Sequence, residues 1–144
     1  SQQMKKSFSA GYTYVKKYQQ IFVLLFAIIA LVISVFSRLI VQIAFGKEYV
    51  AFYYWIIPLS IWFVIAINNN FLGIQTLLSS GHDKEYSICF QISVVCTIVL
   101  NLVLIYFYGG NGASIAPMLS EAILSITLIH QIRKIKQSNG EKRE

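Results

Sequence analysis

Residues 49–82 read YVAFYYWIIPLSIWFVIAINNNFLGIQTLLSSGH, without a single Asp, Glu, Lys or Arg. A second stretch, residues 86–120, also lacks all four residue types. A helix needs about 20 apolar residues to cross the hydrocarbon core of a bilayer. Both stretches are long enough, and the second can turn and begin another crossing. A water-soluble helix needs a polar face, which uncharged stretches of this length do not supply. The sequence therefore predicts membrane-spanning helices.

The composition agrees with this interpretation. Charged residues make up 12% of the 144-residue chain and hydrophobic residues 56%, with a mean hydropathy of +0.62, whereas a soluble domain carries about 25% charged residues. The net charge is +6, but the basic residues lie at the predicted membrane boundaries, so we expect no nucleic-acid partner. Cys89 and Cys96 lie seven residues apart in an apolar segment and have no metal-binding or disulfide spacing.

The sequence predicts an all-α fold: a polytopic bundle of four transmembrane helices. We expect a cytoplasmic or interfacial segment over residues 1–20, a transmembrane domain over 21–132 and a cytoplasmic tail over 133–144. Within the domain the predicted spans are residues 21–45, 50–80, 86–108 and 113–132. The second span exceeds the bilayer thickness, so we expect it to tilt, kink or project, and Pro58 offers a place for a kink.

The distribution of basic residues predicts the orientation. The N-terminal segment, the loop after the second span and the tail together carry ten Lys and Arg residues, while the opposite loops carry only Lys47. Cytoplasmic loops of membrane proteins are enriched in these residues. We therefore expect both termini to be cytoplasmic, which agrees with an even number of spans.

Polar side chains recur inside the predicted spans at helical spacing. Asn68 and Gln75 share a face of the second span, Gln91 and Asn101 lie within about a third of the circumference of the third, and Glu121 belongs to a stripe on the fourth. Such residues either hydrogen-bond between helices or face a water-filled cavity. Because three spans each carry one stripe, we expect a shared hydrophilic cavity.

Two charges lie inside the predicted spans. Arg38 precedes Gly46 by eight residues and Glu121 follows Ala113 by eight, so we expect both at a similar depth below the outer surface. Arg38 either extends to the interface or lines a cavity. Glu121 is shorter, so we expect it to face a cavity or a partner, with Arg38 as one candidate.

The sequence contains no metal-ligand cluster, nucleophile elbow or phosphate-binding glycine loop at a suitable position. We therefore expect no catalytic site, no metal and no cofactor.

Several phrases of the sequence resemble the C-terminal part of bacterial polysaccharide flippases. These are O-antigen transporters of the superfamily that includes the multidrug and toxic-compound extruders. The matching phrases are FGKEY at 45–49, NFLG at 70–73, LLSSG at 77–81, KEY at 84–86, NLVL at 101–104, and YGGNGASIA at 108–116 followed by Glu121.

The resemblance implies a transporter of about twelve helices in two lobes, of which this chain supplies the last four and the other helices are its partners. Such a transporter moves undecaprenyl-pyrophosphate-linked oligosaccharide to the outer leaflet of the bacterial inner membrane. Amides and hydroxyls would bind the sugar, Arg38 would attract pyrophosphate, and the lipid tail would remain among membrane lipids. Two alternatives stay open: an exporter of drugs or small solutes with the same architecture, and a non-transporting membrane assembly subunit whose polar stripes are dry helix contacts.

Overall fold

A computed structural model describes residues 8–141, and this part of the chain is helical with no β-strand. Three short segments of 3₁₀- or π-helix, Lys47–Trp55, Phe71–Leu77 and Leu78–Ser80, lie beside five α-helices. The α-helices are α1 (Phe8–Val35), α2 (Ser37–Phe45), α3 (Ile56–Asn70), α4 (Asp83–Tyr108) and α5 (Gly110–Glu141). The predicted all-α class is confirmed.

Four helical stretches are long and apolar enough to cross a membrane: Gly11–Val35, Lys47–Ser80, Asp83–Tyr108 and Gly110–Ser138. Their large apolar side chains point largely outward, and Leu24, Leu31 and Leu102 are 65–69% exposed. Exposing this much apolar surface to water costs about 25 cal/mol for each Å². Residues 8–141 therefore form a membrane-embedded bundle with four candidate spans, as the sequence predicted.

The ends of the first and last spans differ from the prediction. The first candidate span begins at Gly11 and ends at Val35, so Arg38 belongs to the separate helix α2. No Gly or Pro occurs between Tyr12 and Phe45, so the fall in hydropathy before residue 21 does not interrupt the helix. At the other end, α5 continues through the predicted tail to Glu141. Residues 1–7 and 142–144 of the two predicted terminal segments lie outside the described part.

The second span combines three kinds of helix. Pro58 is the third residue of α3, just after the junction with the 3₁₀-helical segment Lys47–Trp55, and it has no N–H to donate there. The π-helical segment Phe71–Leu77 follows α3 directly, and Thr76 Oγ1 donates a 2.8 Å hydrogen bond to the Phe71 carbonyl within it. Single π-helical turns inside α-helices are frequent at functional sites.

Helix α5 lies at the centre of the bundle and packs mainly against α4 and α3, while α1 packs against α3. Every fourth residue of α5 is buried along one stripe, formed by Gly112, Ala116, Ser120, Leu124, Leu128 and Ile132. The first three residues of this stripe have small side chains, which allow neighbouring helices to approach closely. The last three have large side chains, which form a core cluster with Leu72, Leu77 and Cys89.

Glycines with positive φ lie at each turn between spans: Gly46 at 98°, Gly81 at 83° and Gly109 at 55°. The last turn is shorter than the gap of residues 109–112 between the third and fourth predicted spans, because α5 already begins at Gly110. Gly109 alone therefore reverses the chain between α4 and α5. Trp55 Nε1 donates a 2.7 Å hydrogen bond to Asn111 Oδ1 across this end of the bundle.

Candidate functional site

A polar contact made by a buried amide joins α3 to α5. Asn69 is only 5% exposed, and its Nδ2 donates to the Glu121 carboxylate Oε2 at 2.6 Å and to the Glu121 carbonyl oxygen at 2.8 Å. Its Oδ1 is buried and has no hydrogen-bond partner within the described residues. A buried acceptor of this kind is uncommon in folded proteins, so the site has one acceptor beyond what the helix contact uses.

A second chain of hydrogen bonds lies beside this contact and adds α1. Gln19 Nε2 donates to Asn68 Oδ1 at 2.6 Å, and Asn68 Nδ2 donates to Ser125 Oγ at 3.3 Å. Asn68 and Asn69 are consecutive on α3, and Glu121 and Ser125 lie one turn apart on α5. We call these five side chains, Gln19, Asn68, Asn69, Glu121 and Ser125, the polar cluster.

A cavity of about 300 Å³ connects the polar cluster to the end of the bundle where α1 begins and α5 ends. The cavity is lined by side chains from three parts of the bundle, each spaced three or four residues apart or adjacent in the chain. They are Tyr12, Lys16 and Gln19 on α1, Asn68 on α3 with Leu72 in the following π-helical segment, and Ile129, Ile132, Arg133 and Lys136 on α5. We call this cavity the basic pocket. Of the lining side chains that the structure describes, three are cationic and none is a carboxylate.

The mouth of the basic pocket is ordered by an aromatic contact. Lys136 Nζ lies 3.7 Å from the centre of the Tyr12 ring, which is a cation–π distance. Gln19 and Asn68 belong both to the pocket lining and to the polar cluster. The two features therefore form one polar path that enters the apolar bundle from one end.

Arg38 and Glu121 have different partners. Arg38 is exposed on α2, and its guanidinium carbon lies 6.0 Å from the centre of the Tyr53 ring. Glu121 is half-buried and hydrogen-bonded to Asn69. Of the two alternatives for Glu121, the structure favours a partner, and that partner is an amide on α3.

The other three predicted site residues lie apart from the cluster. Gln75 is exposed in a shallow groove facing α1. Gln91 is exposed and donates to Ser87 Oγ at 3.4 Å. Asn101 donates to the Thr97 carbonyl at 2.9 Å. Both α4 side chains thus bond within their own helix, as polar residues in apolar helices often do. Of the six predicted residues, the structure brings together Asn68 and Glu121.

Sequence reasoning missed most of the basic pocket. In the sequence, Lys16, Arg133 and Lys136 indicate only the orientation of the chain in the membrane. Tyr12, Lys16 and Gln19 are spaced by four and three residues, and this spacing would have revealed a polar face on the first helix.

Searches of protein-family models, curated proteins and solved structures found no match to this chain. Within the described residues, no three His, Cys, Asp or Glu side chains form a group that could bind a metal. The interpretation of the site therefore depends on its own geometry.

Proposed function

We propose that the chain is part of a transporter that moves undecaprenyl-pyrophosphate-linked oligosaccharide across the bacterial inner membrane for surface polysaccharide synthesis. The observation that carries the proposal is the continuity of the basic pocket with the polar cluster. Amide and hydroxyl groups such as those of Gln19, Asn68 and Ser125 hydrogen-bond sugars. A sugar head group crossing a membrane requires such a path through an otherwise apolar bundle.

The charge of the pocket supports an anionic cargo. Its three cations lack a carboxylate among the lining residues, which suits pyrophosphate and disfavours the organic cations of many drug exporters. The excess of basic residues at this end of the bundle supports a cytoplasmic position of the pocket, because cytoplasmic segments are enriched in Lys and Arg. The oligosaccharide would thus enter from the side on which it is assembled.

A second candidate is a non-transporting membrane assembly subunit. It is favoured by the hydrogen bonds between helices, since Asn68 with Ser125 and Asn69 with Glu121 partly satisfy one another. Such bonds are common in static bundles. The two candidates differ in whether water reaches Asn68.

The function is tested by replacing Gln19 and Asn68 together with Leu in the producing bacterium. We expect surface polysaccharide to fall at least about tenfold at unchanged membrane abundance, with lipid-linked oligosaccharide accumulating, because the path loses its sugar-binding amides. Asn101→Leu is the matched control, since that amide bonds within its own helix, and its output should stay within about twofold of wild type. Normal output from the Gln19, Asn68 variant would contradict transport through this path.

Water access to the pocket is tested by cysteine labelling in a chain whose Cys89 and Cys96 are replaced by Ala. In inside-out vesicles, a cysteine at Asn68 should react with a charged, membrane-impermeant thiol reagent. A cysteine at Val99, 53% exposed on the apolar surface of α4, should not react, and one at Lys47 should react only in right-side-out vesicles. Protection of position 68 equal to that of position 99 would favour the assembly subunit.

A further inference from the structure

We propose that the basic pocket binds the phosphate group of an anionic membrane lipid. The pocket lies at the membrane-interface end of the bundle, because its α1 and α5 residues fall near the ends of the candidate spans at Gly11 and Ser138. Lipid head groups lie at this depth. The proposal concerns binding by the pocket itself and does not depend on the transport proposal.

The excess of positive charge among the described lining residues is the first argument for an anion. Lys16 on α1 and Arg133 and Lys136 on α5 line one cavity, and no carboxylate among the lining residues offsets their mutual repulsion. All three side chains are solvent-exposed, yet like charges that line one cavity repel one another, and a bound anion would offset that repulsion. A phosphate bound between them would stabilise the contact of α1 with α5.

The donor types favour phosphate in particular. Arg133 supplies a planar guanidinium that binds two phosphate oxygens at once, and the lysines supply mobile point charges. Lys136 is already positioned by the Tyr12 ring, with its Nζ 3.7 Å from the ring centre. A donor held in place loses less conformational freedom when it binds its ligand.

The apolar part of the lining favours a lipid over free phosphate. Leu72, Ile129 and Ile132 line the cavity together with the three cations and the amides of Gln19 and Asn68, so the lining combines charged, polar and apolar surface. Its volume of about 300 Å³ matches the lower end of small-ligand pockets. A lipid phosphate with its glycerol and the start of an acyl chain matches this polarity, whereas inorganic phosphate would leave the apolar wall uncovered. Basic pockets between helices on the cytoplasmic side commonly bind such head groups.

The test measures binding of dioctanoyl phosphatidylglycerol to the purified full chain in a neutral detergent, by native mass spectrometry and calorimetric titration. The pocket variant is Lys16→Gln with Lys136→Gln. Its matched control is Lys17→Gln with Lys134→Gln, which removes the same charge from adjacent, exposed positions outside the pocket lining. We expect the pocket variant to weaken binding at least about tenfold and the control to stay within about twofold.

Further arms address folding and the source of the phosphate. Arg133→Gln, which leaves the Lys136 contact with Tyr12 intact, should also weaken binding at least about fivefold, and the elution profile of each variant checks that it is folded. Equal loss in the pocket and control variants would overturn the proposal in favour of general surface charge. Equally tight binding of dioctanoyl phosphatidylcholine would overturn the requirement for an anionic lipid. Inorganic phosphate that displaces the lipid at similar concentration would overturn the lipid as the source.

Discussion

Replacing Asn69 by Leu is expected to destabilise the folded chain by about 2–3 kcal/mol, while replacing Asn69 and Glu121 together by Leu should cost less than the sum of the two single changes. The Asn69 amide donates to both the carboxylate and the carbonyl of Glu121. Removing Asn69 alone leaves a half-buried carboxylate without this donor, and a hydrogen bond to a charged group contributes about 1.5–3 kcal/mol. Removing both groups leaves an apolar contact that needs no hydrogen bond.

The measurement is a double-mutant cycle on Asn69 and Glu121, with unfolding of the purified chain followed in mixed micelles. We expect a coupling of at least about 1 kcal/mol. The matched control is the cycle of Arg38 and Glu121, each changed to Leu. Since Arg38 contacts the Tyr53 ring on another part of the bundle, these two changes should add within about 0.5 kcal/mol. Additive effects of Asn69→Leu and Glu121→Leu would show that the hydrogen bond does not stabilise the bundle.

The positions of the four spans could be predicted because charge is expensive in hydrocarbon. The stretches free of charge at 49–82 and 86–120 therefore predict the second and third spans and the start of the fourth, and the candidate spans cover these residues except for 81, 82 and 109. The ends of the helices could not be predicted in the same way. Lys16 and Lys17 are compatible with a helix that continues beyond the apolar core, so α1 reaches back to Phe8 although the hydropathy falls.

The candidate site was only partly predictable for a related reason. Helical spacing identifies side chains that share a face, but it does not identify the helix that this face contacts. The sequence gives equal weight to Asn101 and Glu121, because both are polar residues inside predicted spans. In the structure, Asn101 hydrogen-bonds to its own helix, whereas Glu121 hydrogen-bonds to α3. Asn69 was overlooked because Asn68, its neighbour in the run of three asparagines, fitted the predicted stripe. In the structure both face α5, and they bond to residues one turn apart.

The small residues of α5 suggest why the polar cluster remains ordered. The stripe of Gly112, Ala116 and Ser120 is buried just before Glu121. Close packing along this stripe fixes the position of α5 along its axis, and so it keeps Glu121 opposite Asn69. A loss of packing at the Gly112 end should therefore be transmitted along α5 to the cluster.

Changing Gly112 to Ala is expected to destabilise the chain by about 2–3 kcal/mol, although Ala favours a helix over Gly by about 1 kcal/mol. A Cβ at this position would overlap the backbone carbonyl of Leu104 on α4, and a backbone group cannot rotate away as a side chain does. Helices α4 and α5 would have to separate beside the turn at Gly109, which reduces the burial of Ala116 and Ser120.

Gly110→Ala is the contrasting change, because the atoms nearest to its new methyl group would belong to the ring of Trp55, a side chain that can move. We expect it to cost less than about 1 kcal/mol, largely through the lost hydrogen bond from Trp55 to Asn111. Both variants would be compared by thermal unfolding in the same detergent, with cysteine reactivity at position 68 as a report on the polar cluster. Gly112→Ala should change that reactivity and Gly110→Ala should not, since only the first alters the packing of α5 along the stripe that leads to Glu121. Equal stability of the two variants would mean that α4 and α5 are not closely packed at Gly112.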